Sequence, residues 1–516
     1  MTLGTGKSRS CVIRSGAAAE SASGHSERRR GIAIIPNESL SFRAERGIAV
    51  VPAEGPLYRE DCDSSPTAFQ ASARNDSRFR QRISRIPLVF AIAALLATSA
   101  CSDILDVHVP GRVQEEALDD PALAPTMVAS VVSDFECAWN NYVAAAALIG
   151  DEFIQASGNL NQRNWASRRI TADEPTMAQG TCRTQYGIYT TLQTARFQAE
   201  DSFKRLEKFT DAQVANRTLL MATVKAYGAW ALVALGEGFC EMALDGGPLM
   251  TPKEVLALAE TRFTEAIALA TTANNQDILN MARAGRARVR LDLGNYAGAL
   301  ADARLIPATY VKNATRDESD TRRYDALCEH IACATNRHAT VAPNYRAVTW
   351  AGVPDPRVAV STKNQLAFDN AQIHYFPTNK HTSRAFPVVI TSFKDARLII
   401  AEASARTNDL ATARQLINAM HTAAGIPGYD AGGTATQTEV IGQVIEERRR
   451  EMFTEGGHRL NDHLRFAGTP WAIPFKGEPG SIHPSGVDGT GLPYGDTKCF
   501  PLPTVERIGN PNIPKT

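Results

Sequence analysis

Residues 396–427 read ARLIIAEASARTNDLATARQLINAMHTAAGIP, and this stretch decides the fold class. Small and apolar side chains recur at helical spacing over residues 396–403 and again over 410–423. The turn sequence Asn408-Asp409 separates the two runs, and Pro427 follows the second run, where a proline cannot continue a helix. The spacing therefore predicts two helices that are joined by a short turn and packed through small side chains.

Residues 254–306 repeat this pattern. Phe263 and Ala270 belong to one helical run, Asn274-Asn275 ends it, and Gly285 lies within the next run. Small residues where two helices cross, followed by the turn Gly294-Asn295-Tyr296, resemble a tetratricopeptide helix pair. Generic alanine-rich amphipathic helices are the alternative explanation of the same spacing.

The rest of the body divides into helical runs and irregular stretches. Apolar periodicity predicts three further helices, over residues 119–148, 186–209 and 212–235. Residues 307–395 are rich in threonine, asparagine and aromatics without a helical period, and residues 467–516 are rich in glycine and proline. We therefore expect a mainly α fold in which tetratricopeptide-type helix pairs support long irregular loops with few short strands.

The first hundred residues differ from the body. Residues 1–73 show no sustained period, which leaves two interpretations: a disordered leader, or a translation start placed too far upstream. Residues 74–100 have a lipoprotein signal-peptide pattern, with an arginine-rich start and the apolar run IPLVFAIAALLA, which is too short to span a bilayer stably. Thr98-Ser99-Ala100-Cys101 resembles a lipobox, so we expect lipidation of Cys101 and a mature domain over 101–516. An ordinary cleavable signal is the alternative.

Composition excludes several classes of protein. The 516 residues are 44% hydrophobic, and 55 basic side chains balance 55 acidic ones. The basic excess lies in residues 1–100, with 14 basic and 9 acidic side chains, so the body carries a small acidic excess. No basic field is present to support non-specific nucleic-acid binding, and a single apolar run before Cys101 excludes a polytopic transporter.

Six cysteines remain in the body once Cys11, Cys62 and Cys101 are set aside. In an exported protein an even number of cysteines predicts disulfides. Fifteen connectivities are possible, and the ones we favour are Cys328–Cys333, Cys137–Cys182 and Cys240–Cys499. A zinc site formed by Cys328, His330, Cys333 and His338 is the alternative for the local pair, although it lacks a second pair at ligand spacing.

No catalytic motif is present in the sequence. It contains no nucleophile elbow, P-loop, dinucleotide fingerprint or HExxH motif. His458 and His463 near a helix end are interpreted as structural, and Glu446 to Glu451 as an ion-pair face in which Glu446 pairs with Arg450. We expect no enzymatic activity, no cofactor and no metal.

Aromatic residues within polar loops are the better indication of function. Arg163, Asn164 and Trp165 lie in the amide-rich stretch NLNQRNW, and Tyr345 and Trp350 lie in a second loop. Aromatic faces beside amides and guanidiniums suit sugar stacking with hydrogen bonds to hydroxyls. These five residues are the predicted ligand contacts, and the alternative is that each ring packs its loop onto the core.

Four motifs, in order, resemble the SusD/RagB family of nutrient-uptake lipoproteins. CSDILD at 101–106 resembles the family's opening, and RLIIAEA at 397–403 resembles its signature helix. ERRRE at 447–451 with EGGHR at 455–459 resembles a further motif, and FPLPTVERIGNPN at 500–512 resembles its ending. The six body cysteines and the segment HRLND at 458–462 depart from the family pattern, which suggests a distinct branch.

The resemblance implies a cell-surface lipoprotein anchored to the outer membrane of a Gram-negative bacterium. Such a protein binds an oligosaccharide or peptide and delivers it to a TonB-dependent β-barrel (SusC-like) transporter. The family's sugar-contacting aromatics lie partly in the loop after the first long helix, where Asn164 and Trp165 fall. Two alternatives stay open: an exported tetratricopeptide-like scaffold without small-ligand binding, and an exported hydrolase.

Overall fold

The computed structural model describes residues 115–182, 187–333 and 335–514. All of these residues belong to the unit Gly47–Thr516. The leader, the signal segment and Cys101 lie outside the described residues.

The amino-terminal helices surround the largest core. They are α1 (Ala124–Ile149), α2 (Leu160–Ala166), α3 (Pro175–Gln179), α4 (Tyr189–Lys208) and α5 (Arg217–Gly238). Trp139 of α1 and Trp230 of α5 are fully buried and meet edge to face, with ring centroids 5.5 Å apart. Helix α5 has the length and apolar composition of a membrane-crossing helix, but 83% of its most apolar window is buried inside the protein. It is the central helix of this core.

Three helices follow over the first predicted helix-pair region. They are α6 (Pro252–Thr272), α7 (Gln276–Asp292) and α8 (Tyr296–Ala303). Thr251 and Glu254 cap α6 reciprocally, which satisfies free N–H groups at its start. A Cβ at Gly285 of α7 would lie 2.2 Å from the Phe263 ring of α6, so glycine permits the close approach of the two helices. The predicted crossing through small residues is confirmed.

The second predicted pair is also present, and two more helices extend it. These four helices are α9 (Phe393–Arg406), α10 (Leu410–Ala424), α11 (Gln437–Glu451) and α12 (His458–Arg465). Asp409 caps α10 by accepting a hydrogen bond from the Thr412 amide, and Gly425 ends the helix at a φ of +70°. Leu398, Ile417 and Val444 join α9, α10 and α11 in a separate core.

Over the described ranges the strands form four short antiparallel ribbons and no larger sheet. The pairs are β1 (Phe153–Gln155) with β3 (Ala339–Val341), β2 (Val311–Ala314) with β8 (Val388–Ser392), β4 (Thr349–Trp350) with β5 (Val353–Pro354), and β6 (Val360–Leu366) with β7 (Ile373–Pro377). Beyond α12 the carboxy-terminal segment is irregular within the described residues, apart from the short helix α13 (Thr504–Gly509). The mainly α fold with long loops is confirmed.

The structure contains the three favoured disulfides. Cys137–Cys182 joins α1 to the segment after α3, Cys240–Cys499 joins the end of α5 to the carboxy-terminal segment, and Cys328–Cys333 closes a local turn. Because Cys328 and Cys333 are bonded to each other, the zinc alternative is wrong. No group of three potential metal ligands occurs in the part of the chain that the structure describes.

The charged residues of α11 form a buried network between helices. The Glu402 side chain is fully buried and is contacted by Arg448 and by both terminal nitrogens of Arg465, the latter at 2.9 Å. Burial alone would raise the pKa of Glu402, but the neighbouring guanidiniums lower it to about 2. The ion-pair interpretation is confirmed, and Glu446 does contact Arg450 at 2.7 Å.

Both histidines of α12 have structural partners. His458 Nε2 lies 2.6 Å from Asp395 Oδ1, and His463 Nδ1 lies 3.0 Å from the Ile473 carbonyl oxygen. Both side chains are buried. These contacts fit the structural role predicted for them.

Candidate functional site

The structure places Trp165 inside the core. Its ring is fully buried in α2 and packs on Phe500, with ring centroids 5.5 Å apart. The expectation that this ring is presented to a ligand is wrong. The amide-rich neighbourhood misled the prediction, because α2 buries Trp165 together with Gln162 and leaves Leu160 exposed.

Tyr345 is buried as well. Its ring stacks on Phe453 at a centroid distance of 4.7 Å, and the Arg449 guanidinium lies 4.9 Å from the ring centre. Pro343–Tyr345 form a single 3-10 turn that turns this ring inward. The expectation of an exposed Tyr345 ring is therefore also wrong, and its alternative, a ring that packs its loop on the core, holds.

Trp350 is partly exposed at the tip of a hairpin. The turn residues Ala351 and Gly352 both have positive φ, which brings the two-residue strands β4 and β5 together. The indole meets His421 edge to face at 4.9 Å and lies 6.2 Å from Tyr429. The structure thus groups Trp350 with Tyr429, and no contact joins it to Arg163 or Asn164 among the described residues.

Arg163 and Asn164 lie on α2 and are half-buried. The helix follows a loop in which Ser157 Oγ lies 2.9 Å from His338 Nδ1 and also accepts a hydrogen bond from the Asn159 amide. Leu160, the first residue of α2, is largely exposed. The helix start is therefore tied to the loop that carries His338.

Three segments meet at this point, and we call them the loop face: residues 156–164, 335–338 and 366–372. Backbone hydrogen bonds join them, since Asp369 N donates to Ala156 O at 3.0 Å and Phe368 N donates to Arg337 O at 3.0 Å. Gln372 Nε2 also donates to the Gln155 carbonyl at 2.6 Å. Loops held this way on a helical framework are a common setting for binding residues.

Phe368 is the aromatic residue that the loop face presents to solvent. It is 41% exposed, the His338 ring lies 4.5 Å from its centroid, and the Arg337 guanidinium lies 4.8 Å away. Burial lowers the pKa of His338, so the imidazole beside Phe368 is neutral at pH 7. Sequence reasoning missed Phe368, although the turn sequence Asp369-Asn370 that follows marks a hairpin tip.

A second aromatic–arginine pair continues from the loop face along the β6–β7 hairpin. Arg346 lies 4.0 Å over the ring of Tyr375 on β7, and its Nε donates to the Val341 carbonyl at 2.8 Å. Thr340 accepts a hydrogen bond from the Tyr375 amide, which fixes β7 against β3. The hairpin therefore holds Phe368 at its tip and Tyr375 on its second strand.

A cavity of about 840 Å³ lies between the 343–344 turn, α11 and the loops at 473–474 and 480–483. Its polar lining includes Asn344, Arg449 and His483, and its apolar lining includes Ile445 and Ile482. The size and the mixture of apolar walls with a few polar groups are typical of small-molecule sites.

Comparison with known proteins agrees with this architecture. The model of the SusD family matches residues 393–491. Two solved structures from Bacteroides vulgatus are similar to the chain: a SusD superfamily protein (TM-score 0.57, 16% identity) and a SusD-like carbohydrate binding protein (TM-score 0.58, 13% identity). The first match covers 77% of this chain and 98% of that one, and the second covers 76% and 97%. A search of curated proteins finds no match.

The fold defines a class: mainly helical proteins in which helix pairs carry an irregular loop surface. The matched segment contains RLIIAEA, ERRRE and EGGHR, and in the structure these residues build the α9–α12 framework with its buried ion pairs. Residues 393–491 thus match the SusD family model, and the fold is similar to that of solved SusD-like structures.

Proposed function

We propose that this protein is a cell-surface lipoprotein that binds an oligosaccharide on its loop face and delivers it to a TonB-dependent outer-membrane transporter. The observation that carries the proposal is Phe368, an exposed ring flanked by Arg337 and His338 on loops that the helical framework holds in place. A sugar ring can stack on such a face while guanidinium and amide groups bind its hydroxyls.

The match of residues 393–491 to the SusD family model and two similar structures support the binding role. One of these is described as a SusD-like carbohydrate binding protein and another as a putative sugar binding protein, both from Bacteroides vulgatus. Arg163 and Asn164 remain proposed ligand contacts on the loop face, and Trp350 remains one on the separate β4–β5 hairpin. Trp165 and Tyr345 are buried and are no longer proposed as contacts. A peptide ligand is the alternative that the family resemblance leaves open.

Anchoring and partnership belong to the same proposal. The signal pattern over 74–100 supports export, and the small residues before Cys101 support lipidation of its thiol. Purification from gently solubilised outer membranes tests both. A β-barrel transporter recovered in equal amount would support delivery, and recovery of the native protein in the soluble fraction would contradict the anchor.

Phe368→Ala tests the binding surface. Affinity for a panel of neutral and acidic oligosaccharides, measured by calorimetry, is expected to fall at least tenfold for the ligand that binds the unaltered protein. The matched control is Phe197→Ala, because Phe197 on α4 is exposed to a similar extent, 46%. Equal affinity in both variants would remove Phe368 from the site.

The same purified protein distinguishes the alternative functions. Release of reducing ends from an oligosaccharide would favour the exported hydrolase. Failure to bind any ligand would favour the exported scaffold.

A further inference from the structure

Most arginines that the structure describes form ion pairs with carboxylates. Arg288 pairs with Glu237, Arg459 pairs with Asp151, and α11 alone contributes three such residues. The arginines of the loop face behave differently. Among the described residues, Arg163 and Arg337 have no carboxylate within ion-pair distance, and neither does Arg346 beside them.

Arg337 uses little of its hydrogen-bonding capacity. Its Nη1 donates to the Leu366 carbonyl at 2.6 Å, and its guanidinium plane lies against the exposed Phe368 ring. A guanidinium carries five N–H donors in a fixed fork, so most of them stay available to a solute. The carbonyl contact holds the group in place without neutralising its charge.

Arg346 is held in the same manner. Its Nε donates to the Val341 carbonyl and its charge lies over Tyr375, so it too is positioned by a carbonyl and a ring. Arg163 adds a half-exposed guanidinium on α2, and Lys363 is exposed on β6. Arg337 and Arg346 thus each lie against one of the two rings, and Arg163 on α2 and Lys363 on β6 add positive charge on neighbouring elements.

The nearby carboxylate does not offset this charge through an ion pair. Asp369 is occupied by hydrogen bonds from its own turn, from the Ala371 amide at 2.9 Å and from Gln372 Nε2 at 2.9 Å. The loop face carries two arginines, Arg163 and Arg337, against the one carboxylate of Asp369, and Arg346 and Lys363 lie on adjacent segments, so its formal charge is positive in a body whose sequence carries a small acidic excess. A local field of this sign raises the concentration of anionic solutes at the site.

We infer that the ligand of the loop face is an anionic oligosaccharide that bears carboxylate or sulfate groups. A planar guanidinium binds a carboxylate or sulfate through two parallel hydrogen bonds, and the rings of Phe368 and Tyr375 stack on the sugar beside it. This inference rests on the proposed function and names the substrate class of the same site.

The test compares matched ligands that differ only in charge. Calorimetry with the purified detergent-solubilised protein would use oligogalacturonate and oligomannuronate, each beside its methyl-esterified counterpart, and a sulfated chondroitin oligosaccharide beside its desulfated, methyl-esterified form. At least one acidic member is expected to bind ten or more times as tightly as its neutral counterpart. Its affinity is expected to fall as NaCl rises from 50 to 500 mM, because salt screens exposed charges.

Two variants assign the effect to the loop face. Arg337→Gln and Arg163→Gln are each expected to weaken binding of the acidic ligand about tenfold or more, and to weaken binding of the neutral counterpart by a much smaller factor, because the neutral ligand loses a hydrogen bond but no ion pair. Arg283→Gln is the matched control, because Arg283 is half-buried on α7 and also lacks an ion pair among the residues described. Thermal unfolding of each variant verifies that it folds.

The outcomes separate this inference from the proposed function. Binding of neutral glycans alone, lost in Phe368→Ala, would keep the binding role and overturn the anionic class. Equal affinity for the acidic ligand in Arg337→Gln, Arg163→Gln and the control Arg283→Gln would also overturn the anionic class. So would tighter binding of an oligoglutamate peptide than of any glycan. Failure to bind any member of either set would count against the proposed function itself.

Discussion

Arg448 and Arg337 are the same side chain in two environments. Arg448 lies inside the α9–α12 framework, where Glu402 and Asp462 take up its charge. Arg337 lies on the loop face, where a carbonyl oxygen and a phenyl ring hold it and no described carboxylate neutralises it. In the framework the positive charge is paired with buried carboxylates, and on the loop face it stays available to bind a solute. The comparison teaches that partners, rather than residue type, separate structural from functional arginines here.

The largest expected effect is on the framework. Glu402→Gln removes the negative charge that the guanidiniums of Arg448 and Arg465 share in a buried site, and breaking such a pair costs about 3–5 kcal/mol. Urea unfolding at pH 7 measures the loss of free energy of unfolding. The exposed Glu207, changed to Gln, is the control and should stay within about 0.5 kcal/mol.

The pH dependence of this loss has a definite sign. The pKa of Glu402 is about 2 in the folded protein and near 4.5 when unfolded, so its contribution is complete above pH 4.5 and is lost as the pH falls towards 2. The stability difference between the unaltered protein and Glu402→Gln should therefore shrink between pH 5 and pH 3. An undiminished difference would contradict an ionised Glu402.

The next largest difference in stability between the framework and the loop face is expected when one methyl group is added in each region. Gly285→Ala places a Cβ against the Phe263 ring, and overpacking of about 1–3 kcal/mol exceeds the gain in helix propensity of about 1 kcal/mol. We therefore expect a net loss of up to about 2 kcal/mol in urea unfolding. Gly158→Ala on the loop face meets no atom within 4 Å and should be nearly neutral. Equal losses at both sites would mean that the loop face is packed as tightly as the framework.

Lys476 is a buried lysine at the point where the carboxy-terminal loops pack on the core. Its buried ammonium donates to the Leu148 carbonyl at 2.6 Å and the Phe153 carbonyl at 2.7 Å, and burial lowers its pKa to about 7. Between pH 7 and 10.5 the unfolded chain holds the proton that the folded protein releases, so stability rises with pH by up to about 1.4 kcal/mol per unit.

Lys476→Met should remove that slope. Chemical unfolding at pH 7, 8 and 9 gives the free energy of unfolding of the unaltered protein and of Lys476→Met. The difference between these two free energies is expected to change with pH. Lys204→Met, at an exposed lysine of α4, is the matched control and should retain the full rise. A constant difference between the unaltered protein and Lys476→Met would show that the buried ammonium keeps an ordinary pKa.

The smallest effect is expected at Arg337. Because this guanidinium has no described carboxylate partner, Arg337→Gln leaves no buried charge behind and should change the free energy of unfolding by less than about 0.5 kcal/mol. Thermal unfolding measures it beside Arg448→Gln, which removes one of the guanidiniums that the buried Glu402 and Asp462 share with Arg465 and should cost several times more. Similar losses would abolish the distinction between the two environments.

The helix pairs and the presence of disulfides could be predicted from the sequence, because the first depends on local periodicity and the second on the number of cysteines in an exported chain. The 3.6-residue period, the turn at Asn408-Asp409 and the even number of cysteines each carry their own physical reason. The ligand surface was less accessible. Trp165 and Phe368 both lie among polar neighbours in the sequence, yet one ring is fully buried and the other is exposed.

By itself the sequence determined a mainly helical protein with a signal pattern, three candidate disulfides and no catalytic motif. Only the tertiary structure decided which rings reach solvent and which arginines stay unpaired. Exposure depends on what packs above a residue, and Phe368 is brought to Arg337 and His338 by segments about 30 residues apart. Ion pairing likewise depends on distances across the fold, such as the contact of Glu402 with Arg448, which no local pattern encodes.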